Sequence, residues 1–232
     1  MRTLFAIFIL TSLFSCTDRQ TKNSIEQINE VSENEEPFFI SAINAKFPLR
    51  LNEIKLEDKN KTIHLNDGIV SKIEDVVKEY ASDFEFYDSS HTYKDTYINT
   101  IRLSDSLQTI YLVLLKHYPT GELNSIVLFY DNQKKEFLDK TFDFNLWILY
   151  NFDNRKLKPT ALKTHFKIYS PEIEVVDFNK DEINDYKFVR LWHNGTFNAI
   201  HTTILTVRNS KIDTLHFDEK PIGNEELLHG RK

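Results

Sequence analysis

From about Ala81 onward, apolar residues recur at every second position, and turn-forming residues interrupt them every 10 to 15 positions: Tyr118-Pro119-Thr120-Gly121, Asp131-Asn132, Asp153-Asn154, Asn194-Gly195 and Asn209-Ser210. A period of two sends alternate side chains to opposite faces of a strand, and Asn, Asp, Gly and Pro supply the backbone angles that turns require. The reading is a mainly β fold, an antiparallel meander that is sandwich- or propeller-like. Ile110 to Leu115 and Ile126 to Tyr130 are apolar at both parities and flank the Pro119 turn, which predicts a central hairpin covered on each face. Phe142, Phe144, Leu146, Ile148, Tyr150 and Phe152 fall on even positions opposite Asp143, Asn145, Asn151 and Asp153, as in a strand with one wet face.

The first half reads differently. Phe47 to Leu56 alternates, and Thr62 to Leu65 is expected to pair with it as a short strand. One amphipathic helix is predicted near residues 67–80. Asn66 and Asp67 can cap it, and Ile69, Ile73, Val76, Val77 and Tyr80 form one apolar stripe with Lys72, Glu74, Lys78 and Glu79 outside.

Composition narrows the function. The formal charge is −6, from 29 Lys and Arg against 35 Asp and Glu, and the cations are scattered, so nucleic acid is not an expected partner. Only 5 glycines occur in 232 residues, and the glycine-rich phosphate loops, the serine elbow, the zinc-protease helix and the C-x-x-C motif are all absent. With 1 Cys there is no internal disulfide and no thiolate metal cluster.

That Cys sits in an informative place. Arg2 gives a positive start, Leu4 to Phe14 is an apolar run of 11 residues, and the small Ser15 precedes Cys16. A spanning helix needs about 20 apolar residues, so a cleaved signal is expected instead. Leu13, Phe14, Ser15 and Cys16 resemble the lipobox of bacterial lipoproteins, with Phe14 at a position that is usually small or β-branched. The resemblance implies a signal peptide over 1–15, acylation of Cys16, and a place in the bacterial cell envelope. The protein would be an outer-membrane lipoprotein facing the periplasm or exported to the surface. Acyl burial contributes about 0.8 kcal/mol per methylene, so several chains on Cys16 would hold the protein on a membrane. The polar stretch 16–37, ending in Glu33, Glu35 and Glu36, has the composition of a flexible linker, which leaves 38–232 as a single β-rich domain.

One motif carries chemistry. Asp177-Phe178-Asn179-Lys180-Asp181-Glu182-Ile183-Asn184-Asp185 sets oxygen side chains at positions 1, 3, 5 and 9 between two apolar strands. Ca²⁺ takes about 6 to 8 oxygen ligands, and a tight turn brings positions 1, 3 and 5 to one side, with a carbonyl from position 7. The expected ligands are Asp177, Asn179, Asp181, the carbonyl of Ile183 and Asp185. An EF-hand is excluded because position 12 is Phe188. The shorter form resembles the calcium loops of FG-GAP (integrin-type) repeats, similar ones occurring singly in secreted β-rich lipoproteins. That family usually has Gly at position 6, where the turn favours positive φ. Glu182 stands there, at a cost of about 1 to 2 kcal/mol, leaving either a reshaped loop or a weaker ion site. The other reading of the segment is a solvated turn capped by its own Asp and Asn side chains. Mutual repulsion of the three ligand carboxylates, Asp177, Asp181 and Asp185, favours the cation.

The eight His residues show no zinc spacing, although His193 and His201 flank the Asn194-Gly195 turn and are candidates to face each other. Trp147, Tyr150 and Trp192 are candidates for an exposed binding surface, against core packing. The expected function is that of a lipid-anchored envelope binding protein with a calcium-stabilised β domain, its partner an envelope protein or cell-wall glycan. Analogy with calcium-loop lipoproteins suggests an inhibitor or partner of a cell-wall enzyme, and catalysis is not required. The alternatives are an envelope hydrolase that uses two of the acids on glycans, and a structural subunit of an outer-membrane complex.

Overall fold

The computed structural model describes residues 40–51, 54, 56, 60–83, 92–117, 122–144, 150–151, 158–159, 171–193 and 197–223. Cys16 and the stretches 1–15 and 16–37, expected as a signal peptide and a linker, lie outside them. The described chain is mainly β, as its alternation implies. In order the elements are β1 (Ser41–Ala45), β2 (Leu49–Arg50), β3 (Thr62–His64), α1 (Asp67–Ser82), α2 (Tyr93–Thr96), β4 (Tyr97–Ser104), β5 (Gln108–His117), β6 (Glu122–Asp131), β7 (Glu136–Phe137), β8 (Phe142–Asp143), β9 (Tyr150–Asn151), β10 (Lys158–Pro159), β11 (Glu172–Val176), β12 (Asp185–His193), β13 (Asn198–Arg208) and β14 (Lys211–Pro221).

The first sheet runs β3-β1-β4-β5-β6-β7, with β8 also on β6, and the second runs β14-β13-β12-β11-β2. The β5–β6 pair is the predicted central hairpin. On one side, Ile110, Leu112, Leu114, Val127 and Phe129 meet Ile173, Tyr186, Phe188, Leu205 and Val207 of the second sheet. On the other, Tyr111, Val113, Leu115 and Leu128 meet Ile69, Ile73, Val76 and Val77 of α1. The molecule is therefore layered as helix, sheet, sheet, and the absence of any polar parity in β5 follows from its burial on both faces.

Helix α1 forms where its stripe is. The Asn66 side chain accepts a hydrogen bond from the Ile69 N–H at 3.0 Å, satisfying one of the unpaired first-turn donors. The helix runs past Tyr80 to Ser82. A second, one-turn helix, α2, was not signalled by periodicity because four residues are too few to show any; its capping box is made by Thr92 and Asp95.

Two pairings differ from expectation. Thr62–His64 pairs with β1, not with the Phe47 to Leu56 stretch; among the described residues of that stretch Leu49–Arg50 forms the strand, and it joins β11 in the second sheet. Leu49, Leu51, Ile54 and Leu56 all reach the shared core, so the alternation reported the buried face correctly but not the partner. In addition, β1 and β4 are parallel within an otherwise antiparallel sheet. The chain returns to β1 through α1, and a helical crossover, unlike a tight turn, can deliver a parallel neighbour. Of the stretch 142–152, β8 pairs with β6 and Phe144 is buried, while residues 145–149 and 152 fall outside the described residues.

Candidate functional site

The segment 177–184 joins β11 to β12, as the apolar runs on either side predicted. Its carboxylates organise the turn. Asp177 accepts hydrogen bonds from the N–H groups of Asp181 and Glu182, at 3.0 and 3.1 Å, and Asp185 accepts from that of Phe178 at 3.1 Å. Asp181 accepts from the Ile183 N–H at 3.0 Å and from the Asn179 amide at 2.8 Å, and it forms an ion pair with Arg208 of β13. Arg208 thus relieves part of the repulsion that favoured a cation in the sequence. Glu182 has φ 66° and Lys180 φ 61°. Position 6 therefore adopts the left-handed conformation that glycine favours, without the glycine.

One atom is left over. Asp185 is wholly buried and its Oδ1 has no hydrogen-bond partner. A buried carboxylate oxygen without a donor is costly, and a cation is one partner that would satisfy it. The oxygens of Asp177 and Asp181 that accept N–H groups keep further lone pairs. Among the described residues, however, no three His, Cys, Asp or Glu side chains stand together as a metal cluster, so Asn179 and the Ile183 carbonyl would have to complete any ligand set.

The loop is tied to the first sheet by Asp105, in the β4–β5 connection, which sequence reasoning missed. Its Oδ1 accepts from the N–H groups of Leu107 and Gln108, at 2.8 and 2.7 Å. Its Oδ2 accepts from the Asn184 amide at 3.2 Å and the Tyr186 hydroxyl at 2.6 Å. The available signal was Asp105-Ser106 between two alternating runs, a turn-forming pair.

A second constellation occupies the far end of the second sheet. Register pairs Arg190 with His201 and His201 with Glu219. His193 pairs instead with Asn198, so His193 and His201 do not face each other: the hairpin register sets them three positions apart. The ladder between β13 and β14 shifts at Ile204/Leu205, where Ile204 pairs with His216 and Leu205 with Thr214. That bulge adds one residue to β14, so that Phe217 and Glu219 lie on the same face as His201; an unbroken ladder would turn them to the other.

The result is a fixed aromatic group. The His201 ring stacks on Trp192 at 5.2 Å and 13° and meets Phe217 edge-on at 5.3 Å, while Trp192 also meets Phe197 at 5.9 Å. His201 Nε2 lies 2.7 Å from Glu219 Oε2, and Nδ1 lies 3.3 Å from the Arg190 guanidinium, which also donates to the Phe144 carbonyl at 3.2 Å. A guanidinium only donates, so Nδ1 is the acceptor and Nε2 carries the proton given to Glu219. Burial lowers the Arg190 guanidinium from its ordinary value, opposed by Asp143. Both ring nitrogens are engaged and the ring is buried, which leaves His201 as a rigid support for Trp192 and Phe217 and not an available base. Phe217 is 55% exposed beside it. Of the three aromatics considered from sequence, Trp192 belongs to this group; Trp147 and the side chain of Tyr150 lie outside the described residues.

Comparison with protein-family models, with curated proteins and with solved structures finds no match to this chain.

Proposed function

We propose that this is a lipid-anchored envelope binding protein, held by acylated Cys16, that engages cell-wall glycan at the Trp192–His201–Phe217 end of its second sheet and carries Ca²⁺ in the loop 177–185. The observation that carries the binding reading is His201, locked through both nitrogens between Trp192 and the exposed Phe217. Sugar rings present apolar C–H faces and a rim of hydroxyls. A preorganised aromatic surface with a half-exposed carboxylate at its edge, Glu219, answers both needs at little ordering cost. The buried, unpartnered Asp185 Oδ1 supports the cation.

Co-sedimentation with purified insoluble cell-wall glycan tests the reading. Wild-type protein is expected to pellet with the glycan, and Phe217→Ala and Glu219→Gln are each expected to bind about tenfold more weakly, a loss of ~1.4 kcal/mol. Protein that stays in the supernatant, or pellets equally in all three forms, would remove the glycan from the proposal. Metabolic labelling with a fatty-acid analogue tests the anchor: label should enter the wild type and not Cys16→Ser.

A further inference from the structure

Asp181 is held from outside its own loop. Its Oδ1 accepts the Ile183 N–H at 3.0 Å, while its Oδ2 meets both the Asn179 amide, at 2.8 Å, and the Arg208 guanidinium. Asp177 and Asp185 are met by neutral donors: both Asp177 oxygens and Asp185 Oδ2 accept backbone N–H groups of the loop. Arg208 is the last residue of β13, and it shares a sheet face with Thr206, the register partner of Asp185. Its Nε donates to Thr206 Oγ1 at 3.3 Å, so the guanidinium is anchored at two points, Thr206 and Asp181.

From this arrangement we infer that Arg208 is a built-in competitor for the cation of the loop: its guanidinium occupies Asp181, and Ca²⁺ binds as Arg208 releases that carboxylate. The inference rests on the calcium reading of 177–185 and adds its regulation. A guanidinium and a metal ion seek the same oxygens, and neither has a lone pair to offer the other. The N–H bonds on Asp177 and Asp185 are compatible with an ion, because a carboxylate oxygen keeps further lone pairs. A unit positive charge on Asp181 is not, because it repels an incoming dication at close range. The loop shows a second sign of a ligand, independent of its acidic composition. Asp185 is wholly buried, its Oδ1 has no hydrogen-bond partner, and its other oxygen is fixed to the Phe178 N–H, which sets the open atom beside the loop. Exchange of Arg208 for the ion then has two effects. At low Ca²⁺ the loop stays tied to β13 through Arg208, and the cost of breaking that pair raises the ion concentration at which the loop loads.

The test is calorimetric titration of the detergent-solubilised full chain with calcium chloride, in wild type, Arg208→Gln, Arg208→Lys and Lys211→Gln. Arg208→Gln is expected to bind Ca²⁺ about fivefold more tightly than wild type, the scale of a partly exposed ion pair. Arg208→Lys keeps the charge but replaces the two-point fork by one ammonium, so it should fall between them, and it serves where Arg208→Gln fails to fold. Lys211 is exposed and pairs with Arg208 across the β13–β14 ladder, so Lys211→Gln removes the same charge nearby and should leave affinity unchanged. Thermal unfolding supplies a second readout. The Tm deficit of Arg208→Gln in chelator should close in saturating Ca²⁺, because the ion has already broken the pair that the variant lacks; a purely structural pair would cost the same in both. Equal or weaker binding by the Arg208 variants, or equal tightening by Lys211→Gln, overturns the competition and leaves the calcium site standing. Absence of Ca²⁺ binding in all four forms overturns the calcium reading and the competition with it.

Discussion

The Tyr186 hydroxyl donates a 2.6 Å hydrogen bond to Asp105, joining the first residues of β12 in the second sheet to the β4–β5 turn of the first. The ring itself is fully buried and packs on Phe129 at 5.6 Å and Phe47 at 6.1 Å, so a polar clamp sits at the rim of the shared apolar core. The same carboxylate holds Asn184, and through it the end of the loop 177–184.

Tyr186→Phe keeps the packing and removes only the donor to a charged acceptor. The expected loss is about 2 kcal/mol, seen as a fall in Tm of ~4–8 °C by calorimetry. An unchanged Tm would mean that water replaces the hydroxyl at no cost.

Burial first, then the hydrogen bond to Asp105, pushes the Tyr186 phenol far above its ordinary value, and burial also raises that of Tyr111. A folded-state value above the unfolded one means that the native protein holds its proton more tightly. The stabilisation is therefore complete below about pH 10 and declines as pH rises beyond it. Denaturant unfolding from pH 8 to 11.5 should show stability falling above pH 10, by up to ~1.4 kcal/mol per pH unit for each such tyrosine. Tyr186→Phe should make that fall shallower.

Ca²⁺ is expected to raise Tm. At ten times a dissociation constant typical of extracellular sites the gain is about 1.4 kcal/mol, or ~3–6 °C, relative to chelator. Asp181→Ala should abolish the shift. Asp185→Asn supplies a neutral amide at the buried position and should abolish it too. A chelator-insensitive Tm would reduce the loop to a turn held by its own hydrogen bonds and Arg208.

Glu182 adopts φ 66°, which glycine reaches freely. Glu182→Gly should relieve about 1–2 kcal/mol of backbone strain against ~0.4–1 kcal/mol of added unfolded-state freedom, a net gain of about 0.5–1 kcal/mol. Thermal unfolding in chelator, where the ion makes no contribution, reads this directly. A lower Tm would mean that the Glu182 side chain stabilises the turn by more than its strain.

Leu112 is wholly buried between the sheets. Leu112→Ala should cost about 2–5 kcal/mol, measured as a lower denaturant midpoint with an unchanged slope.

Local signals carried this far in the sequence because each rests on neighbours along the chain. The stripe from Ile69 to Tyr80 defined α1, the apolar parities of 110–115 and 126–130 defined the hairpin covered on both faces, and Asn209-Ser210 defined a turn whose residues take φ 50° and 61°. The Asp-rich spacing of 177–185 marked a turn between two strands, whose carboxylates accept its own N–H groups. What escaped it depends on pairing across long separations. Whether Thr62–His64 joins β1 or the 47–56 stretch is a matter of which apolar faces close one core, and neither alternative changes the local pattern. Arg208 reaching Asp181 and Asp105 reaching Tyr186 are contacts between elements 27 and 81 positions apart.

The mainly β character, the one long helix among the described residues, the hairpin buried on both faces and the residues of the 177–185 turn were legible along the chain, because periodicity and turn chemistry act within a few residues. Long-range pairing was needed for the parallel seam of β1 with β4 and for the gathering of Trp192, His201, Phe217 and Glu219. The last of these depends on a single added residue in β14, since a strand alternates with period two and one extra residue exchanges its faces.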